Sequence, residues 1–315
     1  MKLLGTGSAL PKKQVTNDDI SKFLDTSDEW IFQRTGIKTR HVISSEKLED
    51  LAADAARKAL EDAGLQPSDV DYFICSNVVN EYLTPGLSCI ISEKLGLTAP
   101  CIDINCACPG FLYAMDIAES YFMAGKVDNV LIVCAEEPTR MTSWQDRATC
   151  VLFGDGAGAA IFGKGNNLKA IKLHTSPDPD KLRQFRVLQP TPFITKEEED
   201  IPLQMNGREV FKFAVTTCIK DFEEVFDEAG ITAADIDHFM IHQANLRIID
   251  AIRERIDTAP DKFRVNITDH GNSSSASCPI LLDECRRSGK VKPGDLLAFS
   301  SFGAGLLSAA AVLEI

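Results

Sequence analysis

The stretch Leu60–Ser76, LEDAGLQPSDVDYFICS, aligns without a gap on Phe226–His242, FDEAGITAADIDHFMIH. An Ala-Gly pair, an Asp-x-Asp and a Phe hold matching places, and the offset of 166 residues is about half of the 315-residue chain. Each copy predicts a helix end stopped by Gly64 or Gly230, then a turn, then an apolar strand. A looser echo links Phe153-Gly-Asp-Gly-Ala-Gly-Ala-Ala-Ile-Phe to Phe302-Gly-Ala-Gly-Leu-Leu-Ser-Ala-Ala-Ala-Val, each a glycine turn entering a buried strand. Strands alternating with helices give an α/β chain of mixed sheets covered by helices, and two copies give a pseudo-twofold arrangement. The boundary is placed in Lys164–Asn167, making halves 1–165 and 166–315, with Ser176–Asp180 and the acidic run Glu197–Asp200 on surface loops.

Composition narrows the function classes. A chain with 44% hydrophobic residues buries a large core, and its net charge of −13 argues against a broad nucleic-acid or anionic-membrane surface. No apolar run approaches the roughly 18 residues of a membrane span, and Met1–Pro11 lacks the pattern of a signal peptide, so a cytoplasmic protein is expected. Most of the ten cysteines lie in apolar runs, as Cys75, Cys134 and Cys218 do, and read as reduced.

One thiol stands apart. Cys108 follows the strand-like run Cys101–Cys106 and directly precedes Pro109, Gly110 and a long helical pattern. Proline suits the first helical position, so Cys108 is read as the N-cap, where unpaired amides and the helix dipole favour a thiolate. Far along the chain, His242 in His-Gln-Ala-Asn and Asn272 in His-Gly-Asn-Ser-Ser-Ser complete a candidate Cys, His, Asn site for acyl chemistry through a thioester. The offset carries Cys108 to Ser274, two residues from Asn272, and Ser76 to His242, so the site is expected between the halves. Cys106 reads as packing, because Cys-Ala-Cys is not followed by a second pair at zinc spacing. His270 reads as a turn residue. The Gly154–Gly158 cluster lacks the Gly-Lys-Ser/Thr ending of a phosphate loop and reads as packing too.

Together with Gly5-Thr-Gly-Ser, Thr26-Ser-Asp-Glu-Trp-Ile, Arg34-Thr-Gly-Ile and Phe153-Gly-Asp-Gly-Ala-Gly, these segments resemble the beta-ketoacyl-acyl-carrier-protein synthase III family. The resemblance implies a thiolase-like fold, two duplicated halves with mixed sheets and helices layered α-β-α-β-α. It implies decarboxylative condensation of an acyl-coenzyme A starter, acetyl in the first instance, with malonyl-acyl carrier protein at the start of fatty acid biosynthesis. Cys108 would be the nucleophile, and His242 and Asn272 would stabilise the enolate. The N–H groups of Cys108 and Ala304 would form the oxyanion hole. Trp30, Arg34, Arg147 and Asn245 would bind coenzyme A; Gln243, Ala244, Asn245, Leu246, Arg247 and Lys212 would meet the carrier protein, with Arg253 and Arg255 as further basic residues; Thr84 and Phe302 would line the acyl pocket. Pro109, Ala304 and Thr84 depart from the usual family residues, which leaves starter length open. The resemblance implies a homodimer, with coenzyme A as a substrate, no resident cofactor and no metal. The competing readings are a starter-unit condensing enzyme of secondary metabolism, a Cys-His-Asn thioester hydrolase and a silent acyl-binding scaffold.

Overall fold

A computed structural model describes residues 1–186, 192 and 201–315, so the run Glu197–Asp200 lies outside the described residues. The chain opens with β1 (Lys2–Ala9), then a small antiparallel pair, β2 (Lys13–Thr16) and β3 (Thr39–Val42), around the short helices α1 (Asn17–Ser21) and α2 (Asp28–Thr35). It continues through α3 (Leu48–Ala63), β4 (Tyr72–Ser76), α4 (Leu87–Leu95), β5 (Cys101–Ile104), α5 (Gly110–Met123), β6 (Asn129–Glu136) and β7 (Gly156–Gly163). The rest comprises β8 (Leu168–Thr175), the two-residue strands β9 (Leu182–Arg183) and β10 (Gln204–Met205), α6 (Gly207–Ala229), β11 (His238–Ile241), α7 (Leu246–Arg253), α8 (Ile267–His270), α9 (Ser277–Arg287), β12 (Leu296–Gly303) and β13 (Leu307–Glu314).

The two echoing stretches fold alike. Helices α3 and α6 both end at a left-handed glycine, Gly64 at φ 67° and Gly230 at φ 68°, a conformation that a Cβ disfavours. Each chain then turns through one 3-10 helix into a strand at the parallel part of its sheet, β4 beside β6 and β11 beside β12. The first sheet runs β1-β7-β6-β4-β5 and the second β8-β13-β12-β11, the same order, with a single parallel bridge from Phe263 to Phe239 where β5 would stand.

The sheets stack with helices between and outside them. Residues of α5 and α9 share one apolar cluster with residues of both sheets, including Ile74, Ile132, Phe162, Leu297 and Phe299. Ala-rich α3 and part of α4 cover the outer face of the first sheet, and α6 with α7 covers the outer face of the second through Phe222, Phe226, Ile248 and Ile249. This is the layered α-β-α-β-α arrangement expected from the sequence. Among the described residues, no helix is long and apolar enough to cross a membrane.

Candidate active site

The middle layer brings a helix from each half to the seam. Helix α5 starts at Gly110 with Pro109 as its cap, so Cys108 sits one residue outside the position read from the sequence. The preceding residue, Ala107, is held at φ 49°, and across the seam Ser274 is held at φ 52°. Both are non-glycine residues in the left-handed region, a strained backbone that persists where its surroundings over-determine it. The Ser274 hydroxyl lies 3.6 Å from the Cys108 sulfur. The residues related by the 166 offset therefore touch.

A cavity of 360 Å³ reaches this point, and Cys108, His242 and Asn272 all line it, together with Phe302, Gly303 and Leu306. Asn272 is fixed from several sides. Its N–H donates to the Leu152 carbonyl at 2.9 Å, and its own carbonyl accepts from the Gly154 N–H at 3.0 Å. Its side-chain Oδ1 accepts from the Ser274 N–H at 2.9 Å, which leaves the Nδ2 donors without an acceptor among the described residues and available to the cavity. Gly154 is required for this clamp: a Cβ there would meet the His270 carbonyl oxygen at 2.1 Å.

His242 is buried, its ring edge-on to Phe302 with centroids 5.5 Å apart. Burial lowers its pKa to about 3, so the imidazole is neutral at physiological pH. Its Nδ1 lies 2.7 Å from the Ser277 Oγ, which also accepts from the Gln243 N–H at 3.3 Å. With that lone pair engaged, the Ser277 proton is directed to Nδ1, and the network assigns the imidazole proton to Nε2 as a donor toward the cavity.

The surroundings of the thiol work against the thiolate expected from the sequence. Burial pushes Cys108 up to about 12, against the lowering effect of the Ser274 hydroxyl and with a further upward push from the buried Glu136. A helix N-terminus contributes at most about 2 kcal/mol in the opposite direction. Neither the Cys108 N–H nor the Ala304 N–H has an acceptor among the described residues. Gly303 packs directly on Cys108, where a Cβ would come within 3.0 Å of the Cys108 nitrogen, and so brings the adjoining Ala304 amide close.

Trp30, Arg34, Arg147 and Asn245 line the outer part of the same cavity. The guanidinium carbons of Arg34 and Arg147 lie 4.3 and 5.0 Å from the Trp30 ring centroid. Asn245 caps α7 and donates to the Arg34 carbonyl at 3.0 Å, tying α7 to α2. Ala244 and exposed Arg247 also line the cavity, while Lys212 is exposed nearby on α6.

The remaining assigned residues do not line this cavity. Gln243 is fully buried, its amide donating to the Ile241 carbonyl at 2.7 Å and accepting from the N–H groups of Asn266 and Ile267, so it organises the loop and cannot meet a carrier protein. Thr84 is exposed between β4 and α4 and does not line the cavity of this chain. Leu246 is half-buried and packs against Gly36 at the end of α2. Arg253 is engaged by the Asp250 carboxylate, which offsets its charge, while exposed Arg255 donates to the Ala251 carbonyl. Sequence reasoning missed Glu136 and Ser277 altogether, and it reached Ser274 only as an offset without a role.

The family description 3-Oxoacyl-[acyl-carrier-protein (ACP)] synthase III matches residues 102–179, and the description of its C-terminal part matches residues 226–315. The chain is 40% identical to the beta-ketoacyl-[acyl-carrier-protein] synthase III of Campylobacter fetus over 99% of this chain and 97% of that protein. It resembles the crystal structure of 3-oxoacyl-[acyl-carrier-protein] synthase III from Aquifex aeolicus with a TM-score of 0.93 at 37% identity, covering 100% of this chain and 99% of that one. The priming beta-ketosynthase from the R1128 polyketide biosynthetic pathway is similar at a TM-score of 0.92 and 32% identity, covering 100% and 96% of the two chains.

Proposed function

Since this chain belongs to the 3-oxoacyl-[acyl-carrier-protein] synthase III family, we propose that Cys108 is the acyl acceptor of its reaction and that His242 and Asn272 serve the second substrate. The protein is an acyltransferase of fatty acid biosynthesis that condenses an acyl-coenzyme A with malonyl-acyl carrier protein. In the first half-reaction the Cys108 sulfur attacks the thioester carbon, the charge on the carbonyl oxygen is met by the amides of Cys108 and Ala304, and coenzyme A leaves. In the second, the malonyl group loses carbon dioxide and the enolate oxygen accepts hydrogen bonds from His242 Nε2 and Asn272 Nδ2. The enolate carbon attacks the acyl carbon, and the sulfur departs. Both donors are neutral, so neither repels the enolate. The scheme calls on no metal and no resident cofactor.

The observation that carries this reading is the single cavity shared by Cys108, His242 and Asn272, with the aromatic and basic residues Trp30, Arg34 and Arg147 at its outer end. Trp30 with Arg147 suits a flat base and Arg34 a phosphate; Arg247 and Lys212 suit an acidic carrier protein. Phe302 would bound the acyl group, with acetyl as the starter. The matching order of the two sheets supports a duplication divided at 165/166. Homodimerisation and a cytoplasmic setting belong to the same proposal. Intact mass after mixing with acetyl-coenzyme A tests its core: an acetyl adduct on the wild type and none on Cys108→Ala is expected, and an adduct that persists in the variant would overturn the nucleophile.

A further inference from the structure

A thiol that attacks a carbonyl carbon must shed its proton, and His242, a donor through Nε2, is not the place for it. Behind the sulfur lies a second buried group. Glu136 ends β6 and is 1% exposed. Its Oε1 accepts from the hydroxyl of Ser275 at 2.6 Å and from that of Ser274 at 3.3 Å, and its Oε2 accepts from the Val78 N–H at 3.2 Å. Ser275 in turn receives the Ser76 hydroxyl at 3.1 Å. Ser274 thus stands between the Cys108 sulfur and the Glu136 carboxyl, within contact of both, on a strained backbone.

We propose that Glu136 receives the Cys108 proton through the Ser274 hydroxyl, holds it while the acyl-enzyme exists, and returns it when the product is released. This rests on Cys108 being the nucleophile. During attack, the S–H proton passes to Ser274 Oγ as the Ser274 proton passes to Glu136 Oε1. The sulfur electron pair forms the new C–S bond, and coenzyme A leaves as a thiolate that takes a proton from water. When the β-ketoacyl product forms, the C–S bond breaks with its electrons returning to sulfur, Ser274 gives its proton back to the sulfur, and Glu136 gives its own to Ser274. One proton from solvent is consumed per turnover, by coenzyme A. While it holds the proton, Glu136 is neutral and adds no negative charge beside the enolate.

The surroundings suit a proton acceptor. Burial holds the carboxyl up at about 7, against the lowering effect of hydrogen bonds from Ser275, Val78 and Ser274. The titratable neighbours that feel its charge are thiols: Cys75 on β4, Cys134 on β6 and Cys108 before α5, with Cys278 of α9 acting on Cys134. Among the described residues no cation pairs with it, and Arg140 goes to the adjacent Glu137 at 3.3 Å. A base whose pKa lies near the working pH is the effective kind.

The test is the pH profile of Cys108 alkylation by iodoacetamide, read by intact mass for wild type, Glu136→Gln and Ser274→Ala. The wild-type rate is expected to rise through neutrality with the titration of the carboxyl. Glu136→Gln should lose that inflection and react about 100-fold more slowly at neutral pH, the lower end for general-base catalysis, recovering only in alkali. Ser274→Ala, which breaks the relay but keeps the carboxyl, should trace the same curve and carries the test alone if Glu136→Gln does not fold. Were Glu136 only a negative charge beside the sulfur, its removal would ease ionisation and speed alkylation; a neutral-pH rate equal to or above the wild type in either variant overturns the relay. An acetyl adduct that survives in Cys108→Ala sinks the underlying nucleophile instead, so the two failures are separable.

Discussion

Replacing Ser277 by alanine removes one hydroxyl from the buried layer behind the cavity, a group that does not itself meet substrate. That hydroxyl lies 2.7 Å from His242 Nδ1, and the ring is 1% exposed, so no water replaces it in the structure as it stands. A buried acceptor left without its donor costs about 1–3 kcal/mol. The same change releases the constraint that puts the imidazole proton on Nε2. If that constraint is felt fully when the enolate forms, decarboxylation slows by about 5- to 150-fold. Acylation of Cys108 does not use the His242 donor and should stay within about twofold of wild type. Ser277→Thr, which keeps the hydroxyl, should restore most of the loss. The assay is paired: acetyl transfer to Cys108 by intact mass, and carbon dioxide release from malonyl-acyl carrier protein. Wild-type decarboxylation by a folded Ser277→Ala protein would refute the assignment of the proton to Nε2, and equal loss in both half-reactions would refute the division of roles.

Other expectations follow from the same geometry. Asn272→Asp should leave acylation intact but lower decarboxylation by about 100- to 1,000-fold, because a carboxylate opposes the enolate instead of donating to it; product formation from pre-acetylated enzyme checks this. Gly154→Ala forces a Cβ to within 2.1 Å of the His270 carbonyl and parts the clamp on Asn272, so chemical denaturation should show a loss of about 2–5 kcal/mol. His242, depressed to about 3 in the folded state from 6.5, stabilises fully above 6.5 and progressively less as pH falls toward 3. Between pH 6.5 and about pH 5 the wild type should therefore lose about 1.6 kcal/mol relative to His242→Gln. Glu136, raised in the folded state, acts in the opposite sense, and comparing two proteins that both retain it cancels its share.

Much of the fold was legible because the duplication preserved local signals: glycine stops, Asp-x-Asp turns and apolar strands recur at a fixed offset, and they fold into the same part of each sheet. Cys108, His242 and Asn272 were legible as family motifs, and the offset even pointed at Ser274. The electrostatics were not. A helix start is visible in sequence, but the desolvation that opposes it depends on how the second half packs beside the sulfur. Glu136 and Glu137 are adjacent acids at a strand end, both buried, and only the folded chain sends one to the serines and the other to Arg140. Gln243 read as part of an outward-facing motif because its neighbours Ala244 and Asn245 do face the cavity; its burial comes from the Asn266–Ile267 turn, remote in sequence.

Helices α5 and α9 each lean on both sheets, and Asn272 is bolted to Leu152 and Gly154 of the other half. Among the described residues, the two shells are therefore held together through a common kernel. On the proposed reading, an acyl chain entering past Trp30 and Arg147 would then be sized by walls such as Phe302 and Leu306, which the shared kernel holds in place.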